Sequence, residues 1–148
     1  MTKHPPEGLS HAAYASRIAA LSTHLDGVLS ASPIAFATMK PSQLPELAGV
    51  YIIYTTALGP TAPYYIGRTK NLRQRLYNNH LMGPLNNARL KKYLIEAQEC
   101  LDLPTSKTFI RANCHARWIA ISDMRERFLA ECFLAAVLQP KYGLYEEH

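Results

Sequence analysis

The sequence predicts an α+β domain in which three strands are flanked by helices, and three observations lead to this prediction. Short runs rich in tyrosine and isoleucine occur at 50–54 and 64–66, and a third apolar run occurs at 117–121. Apolar residues at helical spacing precede these runs at 10–30. An apolar run at 128–138 follows them and has the length of a helix rather than of a strand.

Size and composition indicate a single globular domain. The chain has 148 residues, of which 48% are hydrophobic and 18% charged, and this length is sufficient to bury a core. No apolar run approaches the roughly 20 residues of a membrane span. The N-terminal segment lacks the continuous apolar stretch of a secretory signal. We therefore expect a cytoplasmic protein without a membrane partner.

The cysteines do not indicate a disulfide framework. There are three of them, an odd and small number, which is typical of a reducing compartment. Cys114 and His115 are adjacent and suggest zinc, but no second cysteine or histidine stands at a zinc-ligand spacing. A buried structural cysteine is the favoured interpretation.

Residues 10–30 are predicted to form an amphipathic helix. Their apolar side chains recur at spacings of three and four residues, which is the pattern of one helix face. This face carries no reactive group, so we expect it to pack on the domain or on a second subunit, which would make a homodimer. The face consists of Tyr14, Ile18, Leu21, Leu25 and Val28.

A proline-containing connector separates this helix from the rest of the chain. Pro33, Pro41 and Pro45 disfavour a continuing helix and favour extended backbone. We therefore divide the chain into an N-terminal helical extension with its connector, 1–45, and a main domain, 46–148.

Two strands joined by a turn predict a hairpin. The segment between the tyrosine-rich runs contains a central Gly-Pro pair, which is a turn signal. Side chains alternate across a strand, so Tyr51 and Ile53 are expected on one face and Tyr54 on the other. Gly67 ends the second strand. It is expected either to adopt a dihedral that other residues disfavour or to let a ligand approach the backbone.

Two helices are expected after the hairpin. Asn71 is a suitable N-cap for the first, and Gln74 stands three residues later, as in a capping box. Leu72 and Leu76 mark the buried side of this helix, and Arg75 lies at the edge of that side. A second helix, capped by an asparagine at 86 or 87, has an apolar stripe formed by Leu90, Leu94, Ala97 and Leu101.

Basic residues concentrate in one window of the sequence. No Asp or Glu occurs between Glu46 and Glu96, where seven Lys and Arg residues give a charge of +7 in a chain whose net charge is +5. Such a single-signed stretch indicates a polyanionic partner, nucleic acid before all others. The alternative is a solvated basic face. The seven residues are Arg68, Lys70, Arg73, Arg75, Arg89, Lys91 and Lys92.

The last helix contains a solitary carboxylate. Asp123, with Glu126 three residues later, is expected to cap this helix. Glu131 is the only charged residue in 128–138. A buried unpaired carboxylate costs several kcal/mol. Glu131 is therefore expected to face a cleft, to meet a cation or to lie on a narrow exposed edge.

These residues together resemble the GIY-YIG nuclease domain, over roughly 46–143. The matching segments are GVY at 49–51, YIG at 65–67, the following RTKNLRQRL, and later Glu131 with Pro140. Either tripeptide alone is a weak signal, whereas both at hairpin spacing, with N-L-x-x-R and a late glutamate, are a strong one. The resemblance implies a three-stranded antiparallel sheet flanked by helices. It also implies hydrolysis of DNA phosphodiesters with a divalent metal.

The resemblance assigns roles to individual residues. Tyr51 and Tyr65 match the two motif tyrosines, Arg75 the catalytic helix arginine, and Glu131 the metal-binding glutamate, with Mg²⁺ or Mn²⁺ as the metal and DNA as the partner. Tyr54 and Tyr64 are then expected to fill the other face of the hairpin. The remaining basic residues of the window are expected to bind DNA: Arg68, Lys70, Arg73, Arg89, Lys91 and Lys92.

The residue types suit this chemistry. Mg²⁺ on Glu131 would polarise the phosphate, and Arg75 offers a planar fork of donors to phosphate oxygens. Tyr51, beside a metal and arginines, is expected to have its pKa of about 10 lowered and to act as the general base. Tyr65 is expected to hold the water or a phosphate oxygen.

The sequence departs from the family pattern at two places. Many members have His or Tyr four residues after the catalytic arginine, where this chain has Asn79; a shift of one residue would bring His80 into that role. Many members also have Asn where this chain has Gly143. The second departure favours an alternative function, a nucleic-acid-binding module of the same fold with weak or no cleavage. A structural protein with a tyrosine-rich sheet would leave the +7 window unexplained.

Overall fold

The core of the fold is a four-stranded antiparallel sheet with the strand order β1–β4–β2–β3. A computed structural model of the chain describes residues 10–145. The predicted α+β class is confirmed, but the sheet has four strands rather than three, because two residues of the connector pair with β4. The strands are β1 (Ile34–Ala35), β2 (Gly49–Thr55), β3 (Tyr65–Thr69) and β4 (Cys114–Ala120).

Five helices of eight or more residues surround the sheet within residues 10–145. The predicted N-terminal and last helices are confirmed, and the second helix after the hairpin ends at Glu96, so that Leu101 is 85% exposed. A further helix begins after Asp102, which caps it by accepting a hydrogen bond at Oδ1 from Thr105 N at 3.0 Å. This helix was not predicted from the sequence. The helices are α1 (His11–Ser30), a π-helix (Gln74–Leu81), α2 (Arg89–Glu96), α3 (Leu103–Asn113) and α4 (Met124–Leu138).

The two faces of β2 lie in separate apolar clusters. Tyr51 and Ile53 pack with the π-helix, α2 and α3, whereas Tyr54 packs with α1 and α4. The predicted alternation along β2 is therefore confirmed. The expectation that Tyr64 shares a face with Tyr54 is wrong, since Tyr64 lies in the cluster of Tyr51 and stacks on Phe109. The reason is that β3 begins at Tyr65, so the alternation does not extend to Tyr64.

The N-terminal helix α1 is packed along only part of its length. Leu25, Val28 and Leu29 belong to the cluster with α4, but Tyr14 and Ile18 are 44% and 51% exposed. The homodimer that we expect through this helix stays a prediction. Among the helices of residues 10–145, none combines the length and the apolar character needed to cross a bilayer.

Candidate active site

A cleft of about 770 Å³ opens over the edge strand β3. The register opposes Val50 to Arg68, which places Arg68 on the face of the sheet that α4 covers. Tyr51 stands opposite Gly67, on the other face. Groups from both faces therefore meet around the edge of the sheet. Of the residues expected to be catalytic, four line this cleft: Tyr51, Tyr65, Arg75 and Glu131.

Gly67 allows the side chain of Tyr51 to reach the sheet edge. A Cβ at Gly67 would lie 2.5 Å from Cζ of Tyr51, which real Cβ contacts do not show. The expectation that the strand ends at Gly67 with an unusual dihedral is wrong, because β3 continues to Thr69 and Gly59 is the one glycine with positive φ among the described residues. Glycine is needed here for a close side-chain approach.

The hydroxyl of Tyr51 is hydrogen-bonded to His80. Tyr51 is 1% exposed and His80 fully buried, and Oη of Tyr51 lies 2.7 Å from Nε2 of His80. The ring of Tyr65 completes an aromatic cluster, with its centroid 5.4 Å from the imidazole. Nδ1 of His80 is buried and has no hydrogen-bond partner among the described residues. A neutral imidazole is therefore held behind the tyrosine at the cleft wall.

The π-helix explains why His80, rather than Asn79, meets Tyr51. Its hydrogen bonds run from residue i to i+5, as Met82 N to Tyr77 O at 3.0 Å illustrates. Each turn takes up one residue more than an α-helical turn, so the fifth residue after Arg75 takes the place of the fourth. The one-residue shift considered from the sequence thus has a structural basis. Asn79 lines the cleft next to it.

Burial sets the protonation of this pair. Burial raises the pKa of Tyr51 well above 10, Tyr65 and Glu131 raise it further, and Arg75 opposes them. The protein's own groups therefore raise the pKa of Tyr51, and the lowering expected beside a metal would have to come from the metal itself. Burial also lowers the pKa of His80 well below 6.5, with smaller contributions from Arg75 and Lys91. At neutral pH the hydroxyl is protonated and the imidazole uncharged.

Glu131 is a half-buried carboxylate on the cleft wall. It forms an ion pair with Arg68, with 3.3 Å between Nη1 and Oε2. Burial raises the pKa of Glu131, and the guanidinium of Arg68 opposes this shift. From the sequence, Glu131 was expected to face a cleft, to meet a cation or to lie on an exposed edge. The structure shows the first two together, since the carboxylate lines the cleft and pairs with Arg68.

Arg75 lines the cleft and is held there by a hydrogen bond from one of its nitrogens. Nη1 donates to the carbonyl oxygen of Asn87 at 2.9 Å. The helix start that carries Arg75 is capped as expected, because Asn71 Oδ1 accepts from Gln74 N at 3.0 Å. The guanidinium therefore has a defined position with donors available for a ligand.

The six residues expected to bind DNA divide into two groups. Arg68, Lys70 and Arg89 line the cleft. Lys92 is exposed but lies outside the cleft lining. Arg73 also lies outside it and donates from Nε to the carbonyl oxygen of Leu44 at 2.9 Å.

Lys91 is wrongly placed among the DNA-binding residues. It is fully buried, and its Nζ donates to the carbonyl oxygens of Asn79 at 2.6 Å and Gly83 at 2.5 Å. Lys91 stands near the start of α2 with Arg89 and Lys92, where an exposed side chain was expected. The loop before α2 folds over it instead. Lys91 fastens α2 to the end of the π-helix.

Sequence analysis missed Arg127 as a cleft residue. This arginine is 6% exposed, lines the cleft and donates from Nη1 to the carbonyl oxygens of Ile121 and Ser122 at 3.1 and 2.7 Å. It stands four residues before Glu131, so both lie on one face of α4. The spacing of four residues between Arg127 and Glu131 could have identified the arginine from the sequence.

The segment that follows α4 is fastened beside the hairpin. Tyr142 N donates to the carbonyl oxygen of Tyr64 at 2.9 Å. The carboxylate of Glu99 accepts hydrogen bonds from the hydroxyls of both tyrosines and forms an ion pair with Lys141. The segment carrying Gly143, where many family members have Asn, is thus held next to the start of β3.

Comparison with known proteins agrees with the motif residues. Residues 47–109 match the GIY-YIG catalytic domain. The match ends before α4 and so does not include Glu131. No curated protein matches the chain at a significant level.

Similar solved structures are those of the GIY-YIG N-terminal endonuclease domain of UvrC from Thermotoga maritima. A point mutant bound to its catalytic divalent cation is 28% identical, with 71% of this chain and 91% of that chain covered and a TM-score of 0.44. The same domain bound to magnesium is 25% identical, with 71% and 92% covered and a TM-score of 0.43. The family match includes both motif tripeptides, whose tyrosines line one cleft, and residues 47–109 are accordingly a GIY-YIG domain.

Proposed function

We propose that this protein is a metal-dependent endonuclease that hydrolyses phosphodiester bonds in DNA. The observation that carries the proposal is the meeting of Tyr51, Tyr65, Arg75 and Glu131 in one cleft, although they come from both faces of the sheet. Tyr51, Tyr65 and Arg75 lie within the segment that matches the family, and Glu131 is the glutamate that the sequence resemblance assigns to the metal. A protein that only binds DNA would have no need of this arrangement.

The residues of the cleft fit a hard divalent cation. Glu131 is the only carboxylate lining the cleft among the described residues. Within residues 10–145 no cluster of three His, Cys, Asp or Glu side chains could hold a metal by itself. Mg²⁺ commonly binds one or two carboxylates and completes its coordination with water and substrate phosphate. Glu131 would hold the ion, which would supply polarisation of the phosphate and stabilisation of the leaving oxygen.

Tyr51 and His80 provide a path for the proton of the attacking water. Burial disfavours a tyrosinate at Tyr51, so we propose that its hydroxyl accepts a proton from water while it donates its own to Nε2 of His80. The hydrogen bond of 2.7 Å between them already joins the two atoms. Burial keeps the imidazole of His80 neutral before the reaction. The negative charge that develops on the attacked phosphate would stabilise the imidazolium that forms when Nε2 accepts the proton.

The arginines stabilise charge on the phosphate. Arg75 is held by the carbonyl oxygen of Asn87 and lines the cleft, where charge would develop as the water attacks. Arg68 is the nearest cation to Glu131, and we propose that it binds a phosphate oxygen of the substrate. Tyr65 would orient the water or a second oxygen.

A plasmid assay tests this function. Supercoiled plasmid incubated with the protein and Mg²⁺ or Mn²⁺ should become nicked or linear, and EDTA should prevent this. The alternative, a binding module that does not cut, is favoured by Gly143 in place of the family asparagine. Retarded migration of intact plasmid with both metals would support that alternative and contradict the proposal.

We also propose the division into an extension at 1–45 and a catalytic part at 46–148. The C-terminal half of α1 shares a core cluster with α4, which itself carries Glu131. The extension would therefore support the position of α4. Removing 1–30, which takes away α1 but leaves β1 in the sheet, should lower thermal stability along with activity, and an unchanged Tm would contradict this role.

A further inference from the structure

The rim of the cleft on the side of α4 is apolar. Met124 and Phe128 lie one turn apart on α4, and they are 70% and 47% exposed. Met124 lines the cleft, and the ring of Phe128 lies under Arg68, whose Cζ is 5.0 Å from the ring centroid. We call Met124 and Phe128 the ledge. Phe128 lies outside the cleft lining itself but borders it through Arg68, which does line the cleft, so the two exposed side chains form one apolar edge beside it.

The ledge lies on the same face of α4 as Glu131. The positions 124, 128 and 131 follow the i, i+4, i+7 spacing of one helix face. At a rise of 1.5 Å per residue, Glu131 is about 4.5 Å along the helix from Phe128 and about 10 Å from Met124. A DNA strand advances about 3.4 Å per nucleotide. A strand whose phosphate lies at Glu131 would therefore pass the ledge about one to three nucleotides away.

The charge around the ledge identifies the chemistry of its occupant. The neighbouring cleft is lined by five cationic side chains and one carboxylate among the described residues, so it suits a polyanion. The bases are the apolar, π-bearing parts of such a polyanion, and they stack on aromatic rings and on arginine planes. Thioether sulfur also makes favourable contacts with π systems. The five cations are Arg68, Lys70, Arg75, Arg89 and Arg127.

We infer that the ledge binds a nucleobase close to the phosphate that is cut. Inside a duplex both faces of a base are covered by its neighbours, so a base reaches such a ledge only where it is unpaired or unstacked. The protein would thus select DNA with a flap, loop, gap or kink at the cleavage site. This inference rests on the proposed endonuclease function and names its substrate class.

The test compares two DNAs that differ only in pairing. One is a 30-base-pair duplex, and the other carries three unpaired nucleotides at its centre, with 2-aminopurine among them. Binding is measured in EDTA by fluorescence anisotropy, so that no cleavage occurs. Phe128→Ala should weaken binding of the unpaired DNA about tenfold, in line with the usual effect of removing a stacking side chain, and should change binding of the paired duplex less than twofold.

Two further variants control for position and ring chemistry. Val137 is 49% exposed on the same helix, but it follows Phe128 by nine residues and so lies on the opposite side of α4; Val137→Ala should therefore leave both affinities unchanged. Phe128→Trp keeps a stacking surface and should keep the preference for unpaired DNA. The fluorescence of 2-aminopurine should fall when wild-type protein or Phe128→Trp binds, because stacking quenches it, and should remain with Phe128→Ala.

Three outcomes would overturn the inference. Equal losses on both DNAs would mean that the ledge contacts a groove rather than a base. Unchanged affinities would mean that no base binds there. Unchanged affinities together with a dimer that becomes a monomer on Phe128→Ala, seen by sedimentation, would assign the ledge to a second copy of the chain. In each of these cases wild-type protein still cuts plasmid with Mg²⁺, whereas failure of the proposed function would abolish that cleavage.

Discussion

Strand β2 carries two buried tyrosines on opposite faces of the sheet, and their surroundings differ. Tyr51 passes over Gly67 to the sheet edge, where its hydroxyl meets Nε2 of the buried His80. Tyr54, three residues later, accepts a hydrogen bond from Nε of Arg117 at 3.0 Å, and its ring stacks on His115 with centroids 5.8 Å apart. Burial is nearly the same, at 1% and 4% exposure.

The difference shows what makes one of two similar tyrosines a candidate for chemistry. The partner of Tyr51 is a neutral imidazole, to which the proposed mechanism passes a proton, and Tyr51 lines an open cleft. The partner of Tyr54 is a guanidinium, which only donates. A phenol that already accepts from a permanent cation stabilises the packing of the sheet and has no path for a proton.

The largest expected effect is that of removing the carboxylate of Glu131, and it tests whether the chemistry lies on the Tyr51 side of the sheet. Glu131→Gln removes the carboxylate that α4 brings around the sheet edge to the Tyr51 side. We expect plasmid cleavage to fall by about 10³-fold or more, because stabilisation by the metal contributes several kcal/mol. DNA binding should persist or tighten, because a negative charge near the phosphate is lost.

Glu126→Gln is the matched control for this change. Glu126 lies on the same helix and pairs with His24 at 2.8 Å, on the side of α1. This variant should cut at nearly the wild-type rate. Full cleavage by Glu131→Gln in Mg²⁺ would show that the chemistry does not need the carboxylate and that the cleft is assigned wrongly.

The next effect tests the two tyrosines directly. Tyr51→Phe should lower kcat by about 10²- to 10⁴-fold, the usual range for a group that transfers a proton. Tyr54→Phe should change kcat about twofold at most, while it lowers the free energy of unfolding by about 1 kcal/mol through the lost bond to Arg117. Single-turnover cleavage and chemical denaturation measure these quantities. Equal rates for the two variants would make Tyr51 a packing residue.

Salt dependence sharpens the comparison by locating the DNA. Four to five phosphate contacts from the cationic side chains that line the cleft would give a log–log slope of about −3.6 to −4.5 for duplex affinity. Lys70→Gln combined with Arg89→Gln should reduce the magnitude of this slope by about two units. Lys92→Gln, exposed outside the cleft lining, should leave it unchanged. Equal effects of Lys92 and of the cleft residues would place the DNA on another surface.

The smallest effect concerns His80 and pH. Its pKa is lowered well below 6.5 in the folded protein, so at acidic pH the unfolded chain binds a proton that the folded protein does not. Stability is therefore fully present above about pH 7 and falls as the pH drops through 6.5, by up to about 1.4 kcal/mol per pH unit. His80→Gln should remove this part of the slope between pH 7 and 5.5 in urea denaturation. An identical slope in the variant would contradict the burial of a neutral imidazole.

Local patterns in the sequence determined much of the fold and of the site. Helical and strand periodicities located α1, α4 and the hairpin, because each depends on side chains within a few residues of one another. The faces of β2 and the cap at Asn71 have the same local origin. The resemblance to the family also pointed to the four residues that line one cleft: Tyr51, Tyr65, Arg75 and Glu131.

Only the tertiary structure decided the features that depend on distant contacts. The enclosure of Lys91 by a loop and the pairing of β1 with β4 depend on groups that are remote in the chain. The π-helix that turns His80 toward Tyr51 is a choice among similar local geometries. The direction of the Tyr51 pKa follows from the same cause. Water is excluded from that hydroxyl by helices that follow it in sequence by 20 residues and more, and desolvation then outweighs the nearby arginine.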